Sequence, residues 1–469
     1  MKNAAFTLIN SAKGAIGMRS DGDAYDLVII GGGVVGTAVY FRAALSFEIR
    51  SAALLEKHHA VAQVNSNVLA NAETAHRGDK ETNFSLPKAL RMHAFYKYLV
   101  AYLKERGHGA YVELPAMVIS TNVEEANLLR MRFKMLKPHY PDLELIGWQE
   151  IAAIEPKVVE GRNEDEKKHL YALYSKGHAV DYAQLAESFV REGDKEAKAN
   201  GKEFHAFFRT KVFGIERDAD NTYLVKTNRG VFRAKTLVIS AGPYSLMFAK
   251  RLGVRHAENG LPAEEYAILP VAGSFHYTTE KFLNGKVYTV QDENIPFAAP
   301  HADRAVYNEN ETRIGPTAIV LPFFERHHFS TIVDFMKMGM LRPWDYFLTL
   351  LRVLGDPRLS RFELKNILYN FPILGKWFFL KWGAQKVIPT MRFRDLHFGR
   401  GMGGIRPQLL NLKTRKLEMG LGKFVGDSDN PVICNVTPSP GASSCMGNAI
   451  EDIELVESFL KERGVRNGS

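Results

Sequence analysis

Few folds are open to a chain that runs Asp26-Leu27-Val28-Ile29-Ile30 into Gly31-Gly32-Gly33-Val34-Val35-Gly36 and later ends a second apolar run, Leu54-Leu55, on Glu56. An apolar strand, a Gly-x-Gly-x-x-Gly turn, a helix, a second strand and an acid, in that order within about 35 residues, form the dinucleotide-binding βαβ arrangement. Gly31 allows the tight turn and Gly33 lets a pyrophosphate approach the backbone. Gly36 lets the helix lie close on the strand, and the helix N-terminus faces the phosphate charge. Glu56 is placed to accept ribose hydroxyls.

At 469 residues the chain exceeds what one hydrophobic core usually serves, which implies two interleaved domains. The two cysteines, Cys434 and Cys445, form neither a zinc-ligand set nor a disulfide framework, and no metal site is expected. The net charge of +9 favours anionic partners. No aromatic-plus-basic RNA signature accompanies it, so nucleic acid is set aside. No uninterrupted apolar run reaches the roughly 18 residues of a membrane span. Residues 1–24 read as a tail: Lys2, Lys13 and Arg19 precede the first acid, Asp21, which suits a mitochondrial presequence or a bacterial extension equally.

Further along, residues 60–83 are crowded with small polar side chains, suited to a loop lying against a flat ligand. Ser85-Leu86-Pro87 opens an amphipathic helix, and residues 181–196 form another. Lys235 to Ile239 is a buried strand ending in Ala241-Gly242, which implies a return to the first sheet beside the same ligand. Short alternating segments from Val271 to Leu321 predict an antiparallel sheet. Phe329 to Lys386 then breaks the style of the chain, with three of the four tryptophans and nine Lys or Arg against four acids. Rings beside cations suit a membrane interface, and equally a helical subdomain with a basic face. Near the end, Gly404-Ile405-Arg406-Pro407-Gln408 precedes the strand Val432 to Val436, and Thr437 to Ser444 leads into a helix, giving a second anion-favouring helix start.

These stretches, together with Val287-Tyr288-Thr289, Pro296 to His301 and Ile314-Gly315-Pro316-Thr317-Ala318, occur in an order that resembles FAD-dependent 2-hydroxyacid oxidoreductases of the D-amino-acid oxidase superfamily. The chain is most similar to the shorter branch of the malate:quinone oxidoreductase family, with L-2-hydroxyglutarate dehydrogenase next, from about Tyr25 to Glu462. The resemblance implies an α/β (overall α+β) chain. A Rossmann-like FAD-binding domain of the D-amino-acid oxidase/glutathione reductase type (25–110, 180–250 and 395–465) interleaves with an antiparallel-sheet substrate domain (111–179 and 251–325). Residues 326–394 form a helical insertion facing membrane and quinone. It also implies oxidation of (S)-malate, noncovalent FAD, electron transfer to membrane quinone, and a peripheral protein on an anionic surface. That surface is the cytoplasmic face of a bacterial inner membrane, or the mitochondrial inner membrane.

The cofactor contacts expected from motif and resemblance are Gly31, Gly33, Val34, Val35, Gly36, Glu56 and Lys57, with Ser66, Asn67 and Val212. Ala241, Gly242, Arg406, Pro440, Gly441, Ala442, Ser443 and Ser444 complete the set. Oxidising a secondary alcohol with flavin requires a hydride acceptor, a base, and cations for the carboxylates. His301 resembles the family's active-site histidine, and His76 is the alternative base or substrate ligand. Arg406 and Arg313 are the candidate carboxylate clamps. Arg406 in a position over the flavin ring and Arg313 as a solvated strand residue stay open, as does a flavin-holding scaffold without chemistry.

Overall fold

A computed structural model describes residues 23–107, 109–291, 300–339, 342–371, 373–418, 420, 422–438 and 440–467. Residues 1–22 of the tail, the Pro296 to Ala299 part of one motif and Ser439 of the closing loop therefore lie outside the described residues.

The chain begins on the strand Tyr25–Ile30, buried at every position, as continuous Val/Ile/Leu runs at the centre of a parallel sheet must be. It pairs in parallel with Ser51–Leu55 on one side and Gly230–Ile239 on the other. Glu203–Phe207 and Val432–Val436 extend the parallel core outward. The strands Val212–Arg217 and Tyr223–Thr227 form an antiparallel flap on Gly230–Ile239. The glycine helix, Val34–Leu45, packs against the helices Tyr182–Ala199 and Cys445–Asn467 on one face of this nine-stranded sheet. Its close seating depends on Gly36: a Cβ there would stand 2.0 Å from the Gly31 carbonyl oxygen.

The expected antiparallel sheet is in fact two. Tyr266–Ala272 joins Ile319–Val320, Ile405–Asn411 and Lys416–Leu417 in a four-stranded sheet. His276–Thr278, Lys286–Thr289, His301–Arg304 and Thr312–Gly315 join an eight-stranded sheet with Tyr111–Ile119 and Tyr171–Val180. The chain changes sheets at Gly273-Ser274-Phe275, where a Cβ on Gly273 would meet Pro316 at 3.2 Å. The Arg406 motif lies on the strand Ile405–Asn411. Its Pro407 sits opposite Pro270 in the register, so the two missing N–H donors fall at one position of the ladder.

The described part of the aromatic-rich segment is mainly helical: Ile332–Gly339, Pro343–Leu354, Pro357–Tyr369 and Leu374–Phe379, the last running on into a π-turn at Leu380–Ala384. Val353 and Leu359 pack on the four-stranded sheet, while Tyr369, Phe379 and Leu380 pack on the eight-stranded one. Gly36→Ala should cost about 3 kcal/mol of stability, the upper end of core overpacking, because the obstructing atom is backbone. Urea unfolding of the variant against the parent protein checks this.

Candidate active site

A cavity of about 600 Å³ is lined by the glycine turn, the end of the Gly230–Ile239 strand, and the strands that carry Arg406 and His301. Gly31, with φ +109°, makes the first turn, and a Cβ there would stand 2.5 Å from the Ser240 carbonyl oxygen. Gly33 caps the helix, and the Val34 N–H donates to Ser66 Oγ at 3.0 Å, which draws the 60–83 segment over the turn. Gly31, Gly33, Val34, Val35 and Ser66 all line the cavity; Gly36 lies behind them at the strand–helix contact.

Glu56 also lines the cavity, but both its oxygens are engaged. Oε2 accepts from the Gly32 N–H at 2.6 Å and Oε1 from the His58 N–H at 2.8 Å, which fixes the carboxylate and leaves lone pairs for ribose. Lys57 is paired with Glu325 and stacks its ammonium over Tyr244, so it braces the cavity mouth. Val212, Ala241 and Gly242 close this end. Asn67 is not a lining residue: its side chain accepts from the Leu69 N–H and its own N–H donates to the Val64 carbonyl, which shapes the loop from within.

At the other end Pro440, Gly441, Ala442 and Ser443 form the wall, with Ser444 turned inward to donate to the Gly441 carbonyl. Ser443 Oγ accepts from the His76 N–H at 2.9 Å and donates to the Thr74 carbonyl at 2.9 Å. The closing loop and the His76 loop, 367 residues apart, are thereby joined. His76 Nδ1 is 2.6 Å from Glu81 Oε1. Burial alone would raise the Glu81 carboxyl; the bond and charge of His76 together with the Lys80 charge outweigh it and hold the carboxyl below its ordinary range. His301 is buried in the cavity wall with its ring centroid 5.0 Å from that of Tyr288.

Arg406 and Arg313 separate. Arg406 lines the cavity, and its guanidinium makes no hydrogen bond or ion pair within the described residues. Burial pushes it down to about 10. Arg313, by contrast, is neither a substrate clamp nor a solvated strand residue. It is fully buried away from the cavity, 2.7 Å from Glu73 Oε2 and 3.0 Å from Asp303 Oδ2, and donates to the Val68 and Asn71 carbonyls. With both terminal nitrogens engaged by buried partners, it holds the protein together rather than a ligand.

Sequence reasoning did not anticipate this cluster of Glu73, Lys286, Asp303 and Arg313, nor the Asn65 clasp. The Asn65 side chain donates to the Ile405 carbonyl at 2.8 Å and accepts from the Ile405 N–H at 3.0 Å, a two-bond grip on the Arg406 strand. Tyr182, whose hydroxyl donates to the Thr74 carbonyl at 2.7 Å, was likewise unmarked. Within the chain, only the His301-x-Asp303 alternation on one strand signals any of them.

A flavin dinucleotide fits these residues. The glycine turn and the N-terminus of its helix line the cavity, and Arg406, with no partner within the described residues, lines it too. Residues 26–345 match the model of the DAO family, "FAD dependent oxidoreductase". The malate:quinone oxidoreductase of Helicobacter pylori strain J99 is 34% identical over 93% of this chain and 95% of its own. A probable malate:quinone oxidoreductase of Campylobacter jejuni is 32% identical over 93% of this chain and 96% of its own. In fold the chain is similar to the L-alpha-glycerophosphate oxidase of Mycoplasma pneumoniae with FAD bound, at TM-score 0.61 and 17% identity, covering 92% of this chain and 95% of that one.

Arg313→Met should destabilise the protein by about 3–5 kcal/mol, because two buried carboxylates lose their counter-charge together. Urea unfolding of the variant measures this. FAD is the cofactor of this fold, and the chain belongs to the malate:quinone oxidoreductase family of FAD-dependent oxidoreductases.

Proposed function

We propose that this protein oxidises (S)-malate to oxaloacetate with FAD as cofactor and delivers the electrons to a membrane quinone. The observation that carries the reading is Arg406, a guanidinium in the cavity wall with no counter-anion within the described residues. An enclosed cation without a partner is costly, and a substrate carboxylate gripped by two parallel N–H bonds supplies the missing charge. A 2-hydroxy acid held this way brings its hydroxyl towards the histidines of the same cavity, His301 and His76. His301 is assigned as the base that takes the hydroxyl proton. His76, fixed by Glu81 and by its own N–H to Ser443, is assigned to the substrate's polar groups.

Gly31, Gly33 and the start of the Val34–Leu45 helix would hold the pyrophosphate, Glu56 the ribose, and the 440–443 loop the ring. FAD, when bound, supplies the hydride acceptor. The loop leads into the helix Cys445–Asn467, whose positive N-terminal end suits negative charge appearing in that part of the cavity.

The membrane part of the reading rests on the helical insertion. Among the described residues, 18 of the 25 large apolar side chains that are exposed lie between Phe329 and Phe398, and no helix is long and apolar enough to cross a membrane. Trp344, 75% exposed, and Ile373, 84% exposed, head this face, which suits insertion to headgroup depth. Lys386, expected among the lipid-facing cations, instead pairs with Glu125 at 2.8 Å.

Purified, FAD-loaded protein should reduce a soluble quinone with malate and without NAD. Turnover of 2-hydroxyglutarate with none of malate would overturn the substrate assignment. Arg406→Met should raise the KM for malate about 100-fold, the worth of charge-assisted hydrogen bonds to a carboxylate. Trp344→Ser should weaken sedimentation with anionic vesicles roughly 10-fold, as one buried ring is lost from the interface.

A further inference from the structure

We propose that Asp303 is a positioning residue for His301: its carboxylate orients the imidazole and stabilises the positive charge that the ring acquires when it takes the substrate's hydroxyl proton. The inference rests on the malate-oxidising reading, with His301 as base.

Two residues apart on one strand, His301 and Asp303 project from the same face. His301 Nε2 lies 3.8 Å from Asp303 Oδ1, beyond hydrogen-bond length but well within the range of a strong charge interaction. The two oxygens of this fully buried carboxylate are not equivalent. Oδ2 accepts from Lys286 Nζ at 3.3 Å and from an Arg313 guanidinium nitrogen at 3.0 Å. Oδ1 accepts no hydrogen bond within the described residues. A buried acceptor left in that state costs stability, and the side it faces is the imidazole. Burial alone would raise the Asp303 carboxyl; Lys286 and Arg313 outweigh it and hold the group below its ordinary range, so it remains an anion.

Glu73 completes the cluster against Arg313, with burial pushing its carboxyl up to about 7 despite Arg313 and Lys286. In the step itself the substrate O–H bond breaks and an N–H bond forms on the imidazole. The imidazole is the acceptor. The electron pair of the broken C–H bond would leave with the hydride for the bound FAD, and Asp303 keeps its charge throughout. The same logic governs any histidine base oriented by a buried carboxylate.

Among the described residues, the charged and titratable groups about the ring come from four segments. They are Asp303 on its own strand, Lys286 and Tyr288 on the strand Lys286–Thr289, Arg313 on Thr312–Gly315, and Glu73 and His76 on the 60–83 segment. Asp303 is the group whose unbonded oxygen points at the imidazole, so its removal isolates the effect.

The test compares the parent protein with Asp303→Asn in two ways. With FAD loaded, kcat and KM for malate are measured against pH. Without substrate, the His301 resonance of ¹³C-histidine-labelled protein, assigned with His301→Gln, is titrated by NMR. In Asp303→Asn, kcat should fall at least about tenfold with KM within about twofold. The acidic limb of the rate profile and the His301 titration midpoint should both move to lower pH by about one unit, the effect of losing an opposite charge at this distance. An unchanged midpoint, with or without lost activity, would overturn the proposal. Lys286→Met/Asp303→Asn restores charge balance to the cluster if the single variant folds poorly. It should show the same loss of kcat, and recovery of the parental kcat would overturn the assignment. Failure of the parent protein to turn over malate bears on the function reading alone, because the NMR titration needs no substrate.

Discussion

Arg313 binds two carboxylates and two main-chain carbonyls through its two terminal nitrogens, and that set of contacts is what the site depends on. Its partners come from the 60–83 segment and from the His301 strand, so one buried side chain ties the loop that covers the glycine turn to the sheet that carries the candidate base. Glu73 sits at the junction with φ +52°, a backbone conformation an L-residue adopts only where its surroundings enforce it. The enforcement is visible: its carbonyl accepts from the Val180 N–H at 2.7 Å and its carboxylate from the Val306 N–H at 2.9 Å. A loop of small residues that would otherwise move freely is made a fixed wall of the cavity.

What could be read from the chain alone follows from how local each constraint is. The strand, glycine turn, helix and acid between Asp26 and Glu56 act on neighbours, so their geometry is written in consecutive residues. The buried cluster is not. Arg313 lies 240 residues from Glu73, and Thr-Arg-Ile-Gly-Pro looks the same whether its arginine faces water, a substrate or a buried carboxylate. Lys386 poses the same problem, since the acid that claims it, Glu125, is 261 residues away. The division of the middle strands between two sheets was hidden for a related reason: alternation reports which face a residue occupies, not which sheet it belongs to. His301 and Arg406 were legible only because their motifs recur in a family.

The helical insertion serves two masters. Its inner side is spent on the core, with Val353 and Leu359 against one sheet and Tyr369 and Phe379 against another, and its outer side keeps Trp344, Phe347 and Trp377 in the open. Each sheet it covers carries part of the cavity wall, Arg406 on one and His301 on the other. A load applied to the outer face therefore reaches both halves of the site through packed side chains.

The cavity is walled by residues from Gly31 to Ser443, and its last wall is the loop that the His76 N–H grips through Ser443. A ribosome making this chain finishes the glycine turn more than four hundred residues before that wall exists. Until the strand Val432–Val436 enters the sheet and the loop after it meets the His76 segment, the nascent protein has a half-open trough where the cofactor site will be. Closure of that site therefore waits on the last strand and the loop after it, and depends on the whole fold rather than on its first motif.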